Sequence, residues 1–502
     1  MIDLTLAEIA RIVGGELADV SAEEAETTLV TGTVEFDSRA VTAGGLFLAL
    51  PGERADGHGF AAKAVAAGAV GVLAARPVGV PAIVVKPHAE SVDSGASVLE
   101  FDTDGSGAAV LEALARLAAA VAARLVENGL IIVGVTGSSG KTSTKDLLAA
   151  VLTPLGSVVA PPGSFNNELG HPWTVLRATT DTDYLVLEMS ARHPGNIAAL
   201  ARIAPPSIAV VLNVGTAHLG EFGSREAIAA TKGELPQAVP SSGVVVLNAD
   251  DAAVNAMADN TAARVVRIGR GSGADLWASD VVLDELARPR FTLHAPNGEI
   301  PVELAVHGDH QVSNALCAAA VALECGASLE QVADALASAG PVSRHRMQVG
   351  TRADGVTVVN DAYNANPDSM RAGLKALAWM AKSGGAAGAA PRRSWAVLGE
   401  MAELGDDAIT EHDGIGRLAV RLDVSRLVVV GTGRSLSAMY HGAVMEGSWG
   451  SEVTMVADAG AALELLEAEL REGDVVLVKA SKSAGLAELA DALAAEAGGG
   501  AG

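Results

Sequence analysis

The chain has 502 residues, too many for one hydrophobic core, and at roughly 100 to 200 residues per domain it divides into about three. Its 49% hydrophobic and 19% charged residues exclude a disordered chain, and the 3% aromatic share leaves Ala, Val and Leu to build the cores. Sixty acidic against 35 basic residues give a formal charge of −25, which repels nucleic-acid backbones and anionic membranes; a nucleic-acid partner is not expected, and a nucleotide site must bring its own cations or backbone amides.

Residues 1–12 carry acidic groups and lack the basic start and apolar core of a secretory signal, while apolar runs elsewhere fall far short of the roughly 20 residues of a membrane span. The expectation is a cytoplasmic protein without stable membrane insertion. Short β-like runs at 45–50, 71–73 and 82–85, set between Gly and Pro turns, predict a small α/β unit over residues 1–105. An Ala/Leu-rich helix at 108–125 leads into a strand at 130–135, a Gly-rich turn and a helix from Lys141; strands follow at 184–187, 208–212 and 244–247. This β-then-α order over 106–340 predicts a parallel, doubly wound sheet with ligands at the strand C-termini. Runs at 356–359, 394–398, 427–430 and 475–478 predict a second doubly wound sheet over 341–502, with a Gly/Ala-rich loop at 383–393 and a frayed tail at 497–502. Cys317 and Cys325 have no companion ligands, so neither a disulfide framework nor a zinc site is expected.

The strongest chemical signal is GVTGSSGKTSTKD at 134–146, between strand and helix. Gly137 and Gly140 let backbone N–H groups curl around phosphate oxygens, Lys141 supplies a point charge, and the Thr142 hydroxyl can ligate Mg²⁺. Strict P-loop spacing needs Gly where Val135 stands, so the shorter T-G-x-x-G-K-T form applies, with contacts from Thr136, Gly137, Ser138, Ser139, Gly140, Lys141, Thr142 and Ser143. The run 184–187 ends in Glu188, a Mg²⁺ candidate at a strand's C-terminal edge, although spacing alone suits a solvated glutamate equally. After 208–212 come Asn213, Thr216 and His218; a lone loop histidine is more often a plain hydrogen-bonding residue than a ligand. SFNNELGHP, EMSARHPG, HGDHQVSNAL and NDAYNANPDSM are too particular for ordinary loops and suggest a site shared between the middle and last sections.

With FDSRAVTAGGLFLALPGERADGHGF, NVGTAHLGEFGS, TKGE and VLGEMAELG, these segments make the chain resemble the Mur ligase family nearly end to end; NDAYNANPDSM and NNELG point to the branch that adds a dipeptide. The resemblance implies an α/β enzyme of three domains: a small N-terminal UDP-binding domain, a central P-loop ATPase domain with a parallel sheet, and a C-terminal Rossmann-like doubly wound domain. It implies a monomer that uses ATP and Mg²⁺ to join UDP-N-acetylmuramoyl-tripeptide to D-alanyl-D-alanine through an acyl phosphate, the last domain closing on the middle one. Carried over by motif, Lys141 and the loop amides hold the phosphates, Thr142 and Glu188 the first metal, and His218 a second. Lys232 matches a lysine that the family often carbamylates. Asn314 would contact adenine, Arg346 the phosphates and Asp361 a ribose hydroxyl, with Tyr363 near the nucleotide. Ser38 and Arg39 would meet the uridine diphosphate, Asn166 and Asn167 the muramoyl-peptide, and Lys479, Ser481 and Lys482 the dipeptide carboxylate. Asp309 and Gln311 in HGDHQ, and Ser190 and Arg192 in EMSARHPG, depart from the family's usual residues. A folylpolyglutamate-type ligase shares the loop and the lysine but not the Ser38-Arg39 segment or NDAYNANPDSM; a motor-type ATPase or nucleotide sensor would be indifferent to a dipeptide.

Overall fold

Apolar runs with no polar alternation suit strands covered on both faces, and IIVGVT, YLVLE and IAVV behave that way: Ile131–Thr136, Tyr184–Glu188 and Ile208–Val211 are buried almost throughout. The computed structural model describes residues 1–53, 55–87, 99–216, 219–383, 392–447 and 452–495. Residues 384–391 of the loop expected at 383–393, the tail at 497–502 and His218 lie outside these residues, while Ser383 closes the helix Pro367–Ser383.

Each of the three sections has its own sheet. In the first, five strands run in the order Glu16–Ala18, Ala82–Val84, Ala69–Ala74, Gly45–Leu48, Val34–Glu35, parallel except for the first pair. The middle sheet has nine strands. Seven of them, from Val158–Val159 at one edge to Leu276–Leu283, are parallel neighbours, with Ile131–Thr136 flanked by Tyr184–Glu188 and Ile208–Val211. The expectation of an all-parallel sheet is corrected at the far end. Pro289–Ala295 and Gly298–Glu303 extend it antiparallel from Leu276–Leu283. Alternation explains this: Leu276, Ala278, Phe291, Leu293 and Val302 point into the core while their neighbours stay more exposed. The last sheet orders Gln348–Thr351, Thr357–Asn360, Val475–Lys479, Ser394–Leu398, Arg426–Val430 and Val453–Val456, with only the first pair antiparallel.

The long helix Ser106–Glu127 buries Leu114, Leu117 and Val121 in an apolar core that is continuous from Leu6 and Ile9 of the first section to Leu185 and Leu187 of the middle one. No helix among the described residues is long and apolar enough to cross a membrane. Scarce aromatic residues concentrate at the same junction. Trp173 packs against Phe165 (ring centroids 4.6 Å apart) and Phe36 (6.0 Å), and its Nε1 donates to the Val34 carbonyl at 2.9 Å. Trp173→Ala is expected to lower the guanidinium denaturation midpoint by the equivalent of about 3–5 kcal/mol; an unchanged midpoint would show that the junction contributes nothing.

Candidate functional site

Because Ile131–Thr136 is a central strand, its register sets the site: Glu188 pairs with Val135 on one side and Val211 with Thr136 on the other. The turn leaving the strand therefore lies between Glu188 and Asn213, in the crevice outside the strand ends where an open α/β sheet keeps its ligands. Gly140 closes the turn at φ 83°, and a Cβ there would stand 2.9 Å from Asn314 Oδ1; a Cβ on Gly137 would meet Leu212 Cβ at 2.9 Å. The helix Lys141–Leu152 then begins without a side-chain cap, leaving its first N–H groups as anion donors. Ser138 and Ser139 line the same cavity, but their N–H groups donate to the Asn213 carbonyl (3.1 Å) and Oδ1 (2.9 Å), while Asn213 Nδ2 donates back to the Ser139 carbonyl (3.1 Å). Asn213 thus shapes the turn, and the free backbone donors are those that open the helix.

Glu188 is buried to 1% of its surface and is met by hydroxyl and amide donors. Ser164 Oγ donates at 2.9 Å, Asn166 Nδ2 at 2.8 Å, and Thr142 Oγ1 lies 3.2 and 3.1 Å from the two carboxylate oxygens. Thr142 Oγ1 in turn accepts from Arg346 Nη2 at 3.2 Å. A hydroxyl and one carboxylate beside an anion cradle fit Mg²⁺, which keeps several waters and takes phosphate oxygens for the rest. Among the described residues no group of three or more His, Cys, Asp or Glu forms a cage of protein ligands alone.

Asn166 does not present a free amide to a peptide: Nδ2 holds Glu188 and Ser164, and Oδ1 accepts from Ser190 Oγ at 3.0 Å. Asn167 Oδ1 accepts from Gly170 N at 2.9 Å. Both still line the cavity. Lys141 Nζ bonds back to the Gly137 carbonyl at 2.8 Å, and burial, with the nearby Arg346, lowers its pKa. Lys232 ends the helix Arg225–Lys232, where burial and then the charge of Lys141 push its pKa down to about 7. Its sequence neighbour Glu234 offers no compensation, since that carboxylate accepts from Gly195 N (2.6 Å) and Ala198 N (2.9 Å).

The last section contributes Arg346, whose guanidinium stacks 4.1 Å above the Tyr363 ring. His345 and Met347 on either side of it hold left-handed φ of 58° and 46°, conformations that cost a non-glycine residue on the order of 1–3 kcal/mol each. Asp361 and Lys479 form a buried ion pair (Nζ to Oδ2, 2.6 Å); Asp361 Oδ1 also accepts from Met347 N, and Lys479 Nζ donates to the Asn364 carbonyl at 3.0 Å. This corrects one expectation. Lys479 is neutralised by Asp361 and faces a different cavity from Ser481 and Lys482, so it does not join them in receiving a carboxylate. Ser481 Oγ accepts from Ala402 N at 2.9 Å, which leaves the exposed Lys482 as the available cation.

Two cavities of about 420 and 430 Å³ meet at Ser139, Gly140, Ser143, Arg346 and Ser369. Glu188, Asn166, Tyr363, Ser481 and Lys482 line the first; Asn314, Asp361 and Lys479 line the second. The middle and last sections meet across them through Asn366 Nδ2 to the Ser138 carbonyl (3.4 Å), Thr216 N to Asp368 Oδ2 (3.2 Å) and Arg192 to Glu403 (2.7 Å). Ser38 and Arg39 line neither. Arg39 forks onto Asp37, with contacts of 2.7 to 3.2 Å, and holds that carboxyl down at about 2. Sequence reasoning missed the roles of Asn213, Ser164 and Ser190. Asn213 had a positional signal, at the end of an apolar run, whereas Ser164 and Ser190 were marked only by the unusual segments that contain them.

Three family descriptions match the chain: "Mur ligase family, catalytic domain" at residues 32–121, "Mur ligase middle domain" at 135–322, and "Mur ligase, glutamate ligase domain" at 345–482. The chain is 74% identical over 507 aligned residues to the UDP-N-acetylmuramoyl-tripeptide--D-alanyl-D-alanine ligase of Mycobacterium tuberculosis, covering 99% of this chain and 98% of that protein. A crystal structure of MurF from Acinetobacter baumannii aligns with a TM-score of 0.80 at 29% identity over 98% of each chain. The MurF ligase of Thermotoga maritima in complex with ADP aligns at 0.73 and 28% identity, covering 93% of this chain and 98% of that one.

Gly140→Ala combines a disallowed φ with a close approach to Asn314. It is expected to leave the protein folded and weaken ADP binding at least about tenfold, ~1.4 kcal/mol, by titration calorimetry. Unchanged affinity would mean that the nucleotide does not rest on this turn.

Proposed function

The chain belongs to the Mur ligase family, and on that premise we propose that it uses ATP to join D-alanyl-D-alanine to UDP-N-acetylmuramoyl-tripeptide, giving the UDP-muramoyl-pentapeptide precursor of peptidoglycan. The observation that carries this reading is the first cavity: the uncapped helix and Glu188 form one wall, and Asn364, Ser481 and Lys482 of the last section form another. A phosphate donor and a peptide can meet there.

In the first step a carboxylate oxygen of the tripeptide attacks the γ-phosphorus, the β–γ bridging bond breaks, and ADP leaves an acyl phosphate. The dipeptide amine then attacks the acyl carbon and loses a proton; the tetrahedral centre collapses to amide and inorganic phosphate. Such a transfer asks the protein mainly for positioning and charge neutralisation. The helix amides, Lys141 and Arg346 hold the phosphates in this scheme, and Tyr363 supports Arg346. Asn314 and Asp361 face the adenosine in the second cavity. Lys482 receives the dipeptide carboxylate, and Ser38 and Arg39 the uridine diphosphate, Arg39 exchanging Asp37 for pyrophosphate. Thr142 and Glu188 would hold Mg²⁺, with His218 assigned to a second ion; when bound, the metal neutralises charge on the transferring phosphate. In this scheme the enzyme would draw on cytoplasmic ATP and act as a monomer.

Lys232 fits carbamylation because CO₂ combines with a neutral amine, giving a carbamate and a proton, and a pKa near 7 keeps much of this amine neutral at physiological pH. Mass spectrometry should find the pentapeptide product only when ATP, UDP-muramoyl-tripeptide and D-alanyl-D-alanine are all present; phosphate release indifferent to the dipeptide would overturn the assignment. Lys232→Ala is expected to lose about 10²–10³-fold in kcat, the scale of removing a transition-state charge partner. At fixed dissolved CO₂, wild-type turnover should rise with pH through about 7 as the amine loses its proton, and the variant should lack that step.

A further inference from the structure

The guanidinium of Arg346 is placed by its backbone more than by its own contacts. Among the described residues its only hydrogen bond is to Thr142, its Nε is buried without a partner, and its remaining support is the face of Tyr363. The segment carrying it joins the middle section to the last and is held from both. On the last section's side, His345 Nε2 meets the Asp491 carboxylate at 3.0 Å, Met347 N donates to Asp361 at 3.1 Å and Tyr363 N to the His345 carbonyl at 3.2 Å. On the middle section's side the anchor is Ser343, buried to 7%. Ser343 N donates to Asp146 Oδ2 at 3.1 Å, and its hydroxyl accepts from Lys145 Nζ at 3.3 Å.

Lys145 and Asp146 lie on the helix that opens at the phosphate loop, one turn beyond Lys141 and Thr142. Lys145 is buried to 2%, paired with Asp146 at 2.5 Å and bonded to the Pro161 carbonyl at 2.8 Å, three residues before Ser164. Neither residue lines the first or second cavity, where the substrates are placed. A buried lysine with an acceptor on each of three segments has little freedom to move. The left-handed turn at His345 and Met347 then converts the position of Ser343 into the direction of the Arg346 side chain.

We propose that Asp146, backed by Lys145, is a positioning residue for phosphoryl transfer: it fixes Ser343, and through the strained turn it sets Arg346 over Thr142. This rests on the reading of Arg346 as a phosphate-neutralising group. Displacements of about 1 Å at a reacting centre cost up to 10²-fold in rate, so Asp146→Asn, which keeps the shape and removes the charge, should lower kcat about tenfold with the KM for ATP changed less than about twofold.

The deciding experiment is a double-mutant cycle with Arg346→Ala on the full-length enzyme, with thermal midpoints recorded alongside. If Asp146 acts through Arg346, Asp146→Asn costs nothing further once Arg346 is gone. A multiplicative loss in both backgrounds would reduce Asp146 to a structural residue and overturn the inference, leaving Arg346 intact as a catalytic group. Full activity of Arg346→Ala itself would overturn the phosphate reading, and the inference with it. Should Asp146→Asn fail to fold, Ser343→Ala, which removes only the hydroxyl bond to Lys145, enters the same cycle with an expected loss of about threefold, again absent without Arg346.

Discussion

A carboxylate folded into a protein must exchange most of its water for hydrogen-bond donors. Glu188 is such a group, and the donors it collects bind together parts of the chain that sequence keeps far apart: Thr142 at the mouth of the phosphate loop, and Ser164 and Asn166 from the segment between the two strands. Thr142 passes the connection on to Arg346, more than two hundred residues later. The line from Arg346 through Thr142 to Glu188 therefore ties the last sheet to the middle one at the point where chemistry is proposed. It depends in turn on one register, Glu188 beside Val135 in neighbouring strands.

Fold and site were unequally legible in the sequence. Buried parallel strands announce themselves as unbroken apolar runs, so Ile131–Thr136, Tyr184–Glu188 and Ile208–Val211 were expected within a residue or two, and the groups at their ends with them. The antiparallel extension was missed although Leu276, Ala278, Phe291, Leu293 and Val302 alternate with more exposed neighbours and Asn297-Gly298 marks a tight turn. A reading tuned to β-then-α repeats passes over a period of two. Pairings such as Asn213 with Ser139, or Asp146 with Ser343, leave no periodic trace, because a side chain's hydrogen-bond partner is fixed by tertiary packing. Lys479 shows the converse error: its position after a strand suggested an open cation, and only the fold reveals Asp361 beside it.

A net charge of −25 sits oddly with two polyanionic substrates until the local balance is considered. Lys141 and Arg346 converge on one turn with the uncapped helix end, while the acidic excess lies elsewhere. Burial there cuts two ways. It strengthens attraction to phosphate, and it also lowers the pKa of Lys141 and of Lys232, the latter to about 7.

The hairpin that closes the middle sheet bears on how this protein behaves in a crowded cell. An open nine-stranded sheet exposes a row of unpaired backbone groups at each end, a template for other chains. One end stops at the two residues Val158–Val159. The other is Gly298–Glu303, where Pro301 removes a donor, Glu299 and Glu303 add charge, and Arg290 pairs with Glu303 at 3.2 Å. These are the residues by which natural sheets refuse further strands. The extension thus ends the sheet in residues that disfavour pairing with a further strand, with the helix Leu329–Ser338 packed against it.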